Sequence, residues 1–236
     1  MPPGPRITRS LKFIQALLGL GATLCIALPF LRRVQGLKQL PRGQKFLFVS
    51  NHVSLLDTIL LGGLFWRSGN YPILTLGDKN VWHASWLKRA LSSRIGFLME
   101  RGKLNPHRIE ELKAFARCGR EFHLLVFPEG TRGDGVNLAP FQPGIFHIAQ
   151  EARLSIVPVF IENMQCVSTK TGKFHLLGGL RKIEVHLGEP IPPEKYLPLE
   201  REEFLGLLQR DLATLKQSPP AARLSRAPRR AEVPNA

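Results

Sequence analysis

Cysteine is scarce in this chain of 236 residues, and the three present, Cys25, Cys118 and Cys166, are odd in number and widely scattered. They outline no disulfide framework and suit a reducing interior. Acidic residues are also few: 18 Asp and Glu stand against 33 Lys and Arg, for a formal net charge of +15. Such a balance suits either nucleic acid or an anionic membrane surface. Zinc-finger spacing, an RNP-like aromatic motif and a strongly basic recognition helix are all missing, so the membrane is the better partner and no nucleic acid is expected. The chain has no Walker-type or dinucleotide glycine pattern, so nothing suggests nucleotide-driven chemistry. No Gly-x-Ser-x-Gly elbow supports a serine hydrolase. His83, His107, His123, His147, His175 and His186 show no ligand-like partner spacing, and no metal site is expected from them. No internal repeat is apparent.

Long hydrophobic runs are confined to one, Phe13 to Leu31, with Arg6, Arg9 and Lys12 before it and Arg32 and Arg33 after it. It is long enough to span a bilayer, although Gln15, Thr23, several Gly and Pro29 interrupt it. A spanning helix, a helix lying in one leaflet and a signal sequence compete. The signal reading fits worst, because no small-x-small cleavage site precedes the basic pair and Leu24 stands before Cys25. Basic flanks on both sides fit a segment whose two ends stay near the cytoplasmic face. Residues 1–35 are therefore expected to be a basic N-terminus with a membrane anchor, monotopic or single-pass, on the cytoplasmic face.

From Gly36 onward, strand and helix patterns alternate, and 44% hydrophobic content is enough for one sizeable core. Strands are predicted at Lys45–Val49, Tyr71–Leu76, Gly96–Met99, Phe122–Phe127, Ser155–Ile161 and Arg181–Leu187. Helices are predicted from Pro106 to Cys118, after Pro143 with Ile145, Ile148 and Ala149 on one face, and from Leu199 to Lys216. This alternation predicts an α/β fold, a mainly parallel sheet flanked by helices, with an N-terminal membrane-associated helix. Residues 36–216 make one domain, and the Pro, Ala and Arg-rich tail over 217–236 is expected to be disordered. The stretch from Gly77 to Arg94 interleaves Trp82 and Trp86 with cations, which suits either an interfacial surface or core aromatics with snorkelling bases.

Phe46-Leu47-Phe48-Val49 ends in the polar break Ser50-Asn51-His52, and Asp57 follows at the start of another apolar run. Five residues of regular helix turn roughly 500°, which would send His52 and Asp57 to different faces. The two meet if His52 sits in a turn and Asp57 in the first turn of a helix. A carboxylate on one ring nitrogen would fix the tautomer and leave the other nitrogen to take a proton from a hydroxyl. The plainer reading has Asn51 or Ser50 as a helix cap and Asp57 as a first-turn acid beside a surface His, and it is the commoner arrangement. A second strand, Phe122–Phe127, stops at Pro128-Glu129-Gly130-Thr131-Arg132-Gly133. Pro and Gly there force an irregular turn holding an acid and a guanidinium, either a phosphate grip or a solvated ion pair.

Together, Asn51-His52-Val53-Ser54-Leu55-Leu56-Asp57 and Phe127-Pro128-Glu129-Gly130-Thr131-Arg132 resemble the 1-acylglycerol-3-phosphate acyltransferase family of glycerolipid acyltransferases. Gly96-Phe97-Leu98-Met99-Glu100-Arg101 looks like that family's second motif, with Glu100 where Asp is usual, and Ile156-Val157-Pro158-Val159 looks like its fourth. The resemblance covers about Gly36 to Pro193. It implies a glycerolipid acyltransferase-like fold and acyl transfer from acyl-CoA or acyl-carrier protein, as co-substrate without a cofactor, to the sn-2 hydroxyl of 1-acylglycerol 3-phosphate in phospholipid synthesis. It further implies His52 and Asp57 as the catalytic pair. Arg101, Glu129, Gly130, Thr131 and Arg132, with Lys79 by position, would bind the lysophospholipid acceptor. Gln142, before Pro143-Gly144, replaces a basic residue often found there. Another lyso-lipid acceptor, a hydrolase using the same His with water, and a non-catalytic membrane scaffold of the same fold are the competing readings.

Overall fold

Phe46-Leu47-Phe48-Val49-Ser50 is a strand with every residue buried, and the reason lies in its alternation. In the computed structural model, which describes residues 9–41, 43–78, 96–99, 110, 113–114 and 122–217, Leu47 and Val49 enter one apolar cluster and Phe46 and Phe48 another. Successive side chains of a strand point to opposite faces, so a continuous apolar run signals a sheet covered on both sides. The strands are β1 (Leu31–Gln35), β2 (Phe46–Ser50), β3 (Ile73–Asp78), β4 (Gly96–Met99), β5 (His123–Val126), β6 (Ser155–Glu162) and β7 (Ile183–Leu187). They form one sheet in the order β1-β7-β6-β2-β5-β3-β4. Of these pairings only β6 with β7 is antiparallel; the others are parallel.

The helices are α1 (Arg9–Ala22), which runs through a π-helical turn (Thr23–Ala27) into α2 (Leu28–Phe30), then α3 (Leu55–Ser68), α4 (Gly144–Ala152), α5 (Pro193–Tyr196) and α6 (Arg201–Gln217). On one side of the sheet, Ile145, Ile148 and Ala149 of α4 and Phe204, Leu208 and Leu212 of α6 meet Leu47 and Leu124. On the other, Leu60, Leu61, Leu64 and Phe65 of α3 meet Phe46 and Phe48, and the Phe48 and Phe65 rings stack with centroids 4.0 Å apart. Each Phe buried this completely contributes about 1.5–3 kcal/mol.

The expected α/β architecture, a mainly parallel sheet flanked by helices, is the one that forms. The predicted strands all occur within a few residues of their expected limits, and α4 buries the face expected of it. Leu31–Gln35, placed by sequence with the anchoring segment, is the edge strand β1 on β7. Most of the predicted helix Pro106–Cys118, most of the basic stretch Gly77–Arg94, and residues 218–236 lie outside the described residues.

The N-terminal helix is fastened to the domain. Gln15 clamps the start of β3, its amide donating to Ile73 O at 2.9 Å and its oxygen accepting from Ile73 N at 2.9 Å. Small residues let α1 approach α3 closely: a Cβ on Gly19 would meet Trp66 Cγ at 2.5 Å, and one on Gly63 would meet Ala22 Cβ at 3.0 Å. The outward side keeps Phe13, Leu17, Leu20, Leu24 and Leu28 exposed.

His123 shows what the core demands of a polar side chain. It is buried between Phe46 and Phe48, and its Nδ1 accepts from Phe46 N at 3.3 Å. Burial disfavours the imidazolium and lowers its pKa to about 4. The folded pKa lies below the unfolded value, so the stabilisation is complete above the unfolded pKa and is lost as pH falls towards the folded one. Relative to His123→Phe, the protein should lose about 2 kcal/mol between pH 7 and 5, and about 3 kcal/mol once both states are protonated. Urea unfolding of both proteins at the two pH values checks this, and equal pH slopes would refute it.

Candidate active site

β2 and β5 are adjacent and parallel, so the turns that follow them open at the same edge of the sheet, where α/β proteins build their sites. His52 stands just past β2 and Glu129 just past β5. Ser54 begins α3 with extended backbone, accepts Leu56 N on its hydroxyl, and forms a capping box with Asp57. The cap is thus Ser54, not Asn51 or Ser50 as the plainer sequence reading had it. Asn51 instead ties the end of β2 to β6, its amide donating to Ile161 O at 2.9 Å and its oxygen accepting from Ile161 N at 2.7 Å.

One carboxylate oxygen of Asp57 gathers three donors. Val53 N and Ser54 N reach Oδ2 at 2.6 and 2.8 Å, and His52 Nδ1 lies 2.8 Å from the same atom. Asp57 is fully buried while the His52 side chain is 16% exposed. The two sequence readings of this pair are both realised, since the acid that caps the helix is also the acid that braces the ring. With Nδ1–H donating to Asp57, Nε2 holds the lone pair. Phe127, at the end of β5, stacks on the imidazole with centroids 4.1 Å apart and rings inclined by 20°. Ring tautomer and ring plane are therefore both held.

The Pro-Glu-Gly-Thr-Arg-Gly turn is strapped to the backbone of His52. Glu129 Oε1 accepts His52 N at 3.0 Å, Oε2 accepts Ala139 N at 3.0 Å, and Gly133 N donates to His52 O at 2.6 Å. A Cβ at Gly133 would lie 3.1 Å from Glu129 Oε2, so a larger residue there would press on the strap. Burial pushes the Glu129 carboxyl up, opposed by the two amides it accepts. With both oxygens engaged by backbone amides, Glu129 is built to position the turn that holds His52. Gly130 takes a left-handed φ of +64°, and a Cβ on it would strike Gln142 Cγ at 2.8 Å. Gln142 N in turn donates to Pro128 O at 2.7 Å, so the neutral Gln142 sits against this turn. Thr131 is exposed and Arg132 half-buried, without an ion pair among the described residues.

His52, Glu129, Gly130, Thr131 and Arg132 thus fall on two adjacent strand-end turns, with Asp57 in the first turn of α3. Lys79 and Arg101 lie outside the described residues. Sequence reasoning did not single out Phe127 as the ring's platform or Gly133 as part of the strap, though both lie within the quoted motifs. Ser168 was also missed: it receives the Ser54 hydroxyl at 2.8 Å from a distant part of the chain, and no local signal could have found it. Among the described residues, the groups that could hold a metal ion are Glu162, Glu184 and His186. His186 Nε2 lies 3.3 Å from Glu162 and 3.7 Å from Glu184, and Glu184 also pairs with Arg32 at 3.3 Å. A larger open groove of about 720 Å³, lined by Ile191, Leu199 and Leu207 among others, contains none of the site residues.

A histidine braced by a buried acid stands at the carboxyl edge of a mainly parallel sheet, and together they define an α/β protein with a His-Asp pair at a strand-end turn. The chain belongs to the Acyltransferase family, whose model matches residues 31–162, more than half of its length. It is 36% identical over 141 residues to the lyso-ornithine lipid O-acyltransferase of Pseudomonas aeruginosa, covering 59% of this chain and 50% of that one. It is 28% identical over 171 residues to the human 1-acyl-sn-glycerol-3-phosphate acyltransferase alpha, covering 70% and 56%. The chain thus spans about half the length of these curated relatives. The crystal structure of the 1-acyl-sn-glycerophosphate acyltransferase PlsC of Thermotoga maritima has the same fold, with a TM-score of 0.65 at 20% identity over 90% of this chain and 85% of that one.

Proposed function

We propose that the chain is an O-acyltransferase that moves an acyl group from a thioester, acyl-CoA or acyl-carrier protein, to the sn-2 hydroxyl of 1-acylglycerol 3-phosphate. The observation that carries this reading is the 2.8 Å contact between His52 Nδ1 and the buried Asp57, which leaves Nε2 to act as general base. The acceptor hydroxyl gives its proton to Nε2 as its oxygen attacks the thioester carbonyl. The carbon–sulfur bond then breaks, and the leaving thiolate takes the proton back from the imidazolium. Asp57 steadies the positive ring in between. Direct attack uses no enzyme nucleophile, in keeping with Cys25 and Cys166 lying outside both turns.

Arg132 offers a guanidinium for the acceptor phosphate, with Arg101 and Lys79 as further candidates from sequence and Gly130 and Thr131 shaping the same turn. Arg132→Ala should raise KM for 1-acylglycerol 3-phosphate about tenfold, from the loss of one charged hydrogen bond. KM for an uncharged lyso-lipid should stay put. Initial rates over a range of acceptor concentrations decide this, and unchanged KM and kcat would remove the phosphate role.

A second acceptor class is favoured by a specific observation. Gln142 puts a neutral side chain against the Gly130 turn, and the relative at 36% identity is a lyso-ornithine lipid O-acyltransferase. The deciding experiment offers labelled acyl-CoA or acyl-carrier protein together with 1-acylglycerol 3-phosphate, lyso-ornithine lipid and zwitterionic lyso-lipids, with His52→Ala as control. His52-dependent phosphatidic acid supports the first reading. Product only from lyso-ornithine lipid moves the acceptor, and no product from any acceptor sinks the enzyme reading in favour of a scaffold.

The membrane arrangement is part of the same proposal. Residues 12–30 are long and apolar enough to cross a bilayer, with a mean hydropathy of 1.9. A helix with Gln15 clamped on β3 and Gly19 packed on α3 is better suited to lie half-embedded at the cytoplasmic face. Its outward leucines would meet lipid while its inner face stays on the domain.

A further inference from the structure

Between a 3-10 turn (Met164–Cys166) and β7, residues 168–182 make a projecting loop. Leu177 is 81% exposed, more than any other large apolar side chain among the described residues, and Leu176, Phe174 and Leu180 are 57%, 51% and 42% exposed. Single exposed leucines are ordinary, but four such side chains within seven residues form a patch that needs a reason. The same loop carries Lys170, Lys173, Arg181 and Lys182 and no acid at all.

The loop is also held in shape. Gly172 N donates to Thr169 O at 2.9 Å, Thr169 N to Lys173 O at 3.0 Å, His175 N to Val167 O at 2.8 Å and Gly179 N to His175 O at 3.2 Å. Gly179 is packed so closely that a Cβ would meet Val167 Cγ2 at 2.6 Å. Backbone polar groups paired inside the loop need not be stripped of water when it enters an apolar medium, which is the main cost of putting irregular chain there.

Its neighbour is the N-terminal helix. The Phe174 ring meets Phe30 edge-on, with centroids 5.6 Å apart. Arg181 N donates to Pro29 O at 3.0 Å, and the Arg181 guanidinium to Leu31 O at 3.1 Å. The apolar side chains of the loop therefore adjoin the end of a helix whose Leu24 and Leu28 are also half exposed. At the root of the loop, Ser168 holds the Ser54 hydroxyl that caps α3 beside His52 and Asp57.

We infer that residues 168–182 are a second membrane-docking element, a preformed apolar finger that enters the interfacial region of an anionic leaflet beside the N-terminal helix. Leu176 and Leu177 sink below the headgroups, while the four cations meet lipid phosphates. Charge complementarity and continuity with the apolar helix favour lipid over a protein partner. Through Ser168 and Ser54 the finger fixes the catalytic turn at a set height above the leaflet. That last role rests on the proposed lipid acyltransfer; the insertion does not.

The test uses the full chain with vesicles of phosphatidylethanolamine and phosphatidylglycerol. The three native cysteines are changed to serine, and Leu177→Cys carries an environment-sensitive fluorophore. The emission should shift to the blue when vesicles are added, and water-like emission from vesicle-bound protein would overturn the inference. In flotation, Leu176→Ser with Leu177→Ser should lower partitioning about tenfold, and wild-type partitioning by that double variant would also overturn it. Lys170→Glu with Lys173→Glu should weaken binding to anionic but not to zwitterionic vesicles; an equal effect on both would exclude the charge role. His52→Ala should insert like the parent while losing activity; a parent protein that inserts yet transfers an acyl group to no acceptor would refute the acyltransferase reading and leave the finger standing.

Discussion

His52→Ala lowers kcat for acyl transfer by about 10²- to 10⁴-fold, the span that a positioned general base contributes, and leaves the protein folded. The fold survives because what the surroundings hold at this position is backbone. Glu129 takes His52 N and Gly133 gives to His52 O whatever the side chain is, and the imidazole itself is partly exposed. The loss is therefore chemical: no other described side chain contacts Asp57 in a way that could replace a base at Nε2. Single-turnover transfer and a thermal melt on the same preparation make the comparison. Substantial turnover by a well-folded His52→Ala protein would remove the mechanism.

Asp57 carries a second large effect, and two substitutions separate its two duties. Asp57→Asn can place its carbonyl oxygen where Oδ2 stands, still accepting from Val53 N, Ser54 N and His52 Nδ1, so the turn and the tautomer are kept. Only the charge goes, and with it the stabilisation of the imidazolium formed when the hydroxyl loses its proton. We expect kcat to fall by about 10²-fold or more with little change in stability. Asp57→Ala removes the acceptor itself, stranding buried amides at the start of α3, and should cost about 1–3 kcal/mol of stability besides the activity. Paired measurements of kcat and urea midpoint test this. If the Asn variant retained full kcat, the charge would have no catalytic part, and if the Ala variant were as stable as wild type, the capping account would fail.

Glu129 illustrates how a motif residue can be legible while its work is not. The sequence marked it as a fixed acid at a strand end, with a place in the acceptor site. The structure shows both of its oxygens turned to His52 N and Ala139 N, partners that no linear spacing reveals. Ser168 goes further, since 114 residues separate it from Ser54. His186, which has no ligand-like spacing along the chain, meets Glu162 only because β6 and β7 pair antiparallel, while Glu184 shares its face two residues away on β7.

The membrane segment divides in the same way. Its length and apolar content could be read directly, and the flanking cations suggested which face it favours. Its packing could not be read: the Gln15 clamp on β3 and the glycine contact with Trp66 depend on where α3 and β3 stand in the finished fold.

By itself, the sequence determined the strands and helices whose apolar spacing repeats, the mainly parallel α/β class, and the two turns bearing His52, Asp57, Glu129 and Arg132. Each is written in neighbouring residues, because side-chain alternation, caps and turn formers act over only a few positions. Tertiary structure alone decided that β2 and β5 lie side by side, that Phe127 covers the imidazole, that the second turn is strapped to the backbone of His52, and that the basic, leucine-tipped loop adjoins the N-terminal helix. Those contacts join residues far apart in the chain, and they exist only once burial of both sheet faces has set the strand order.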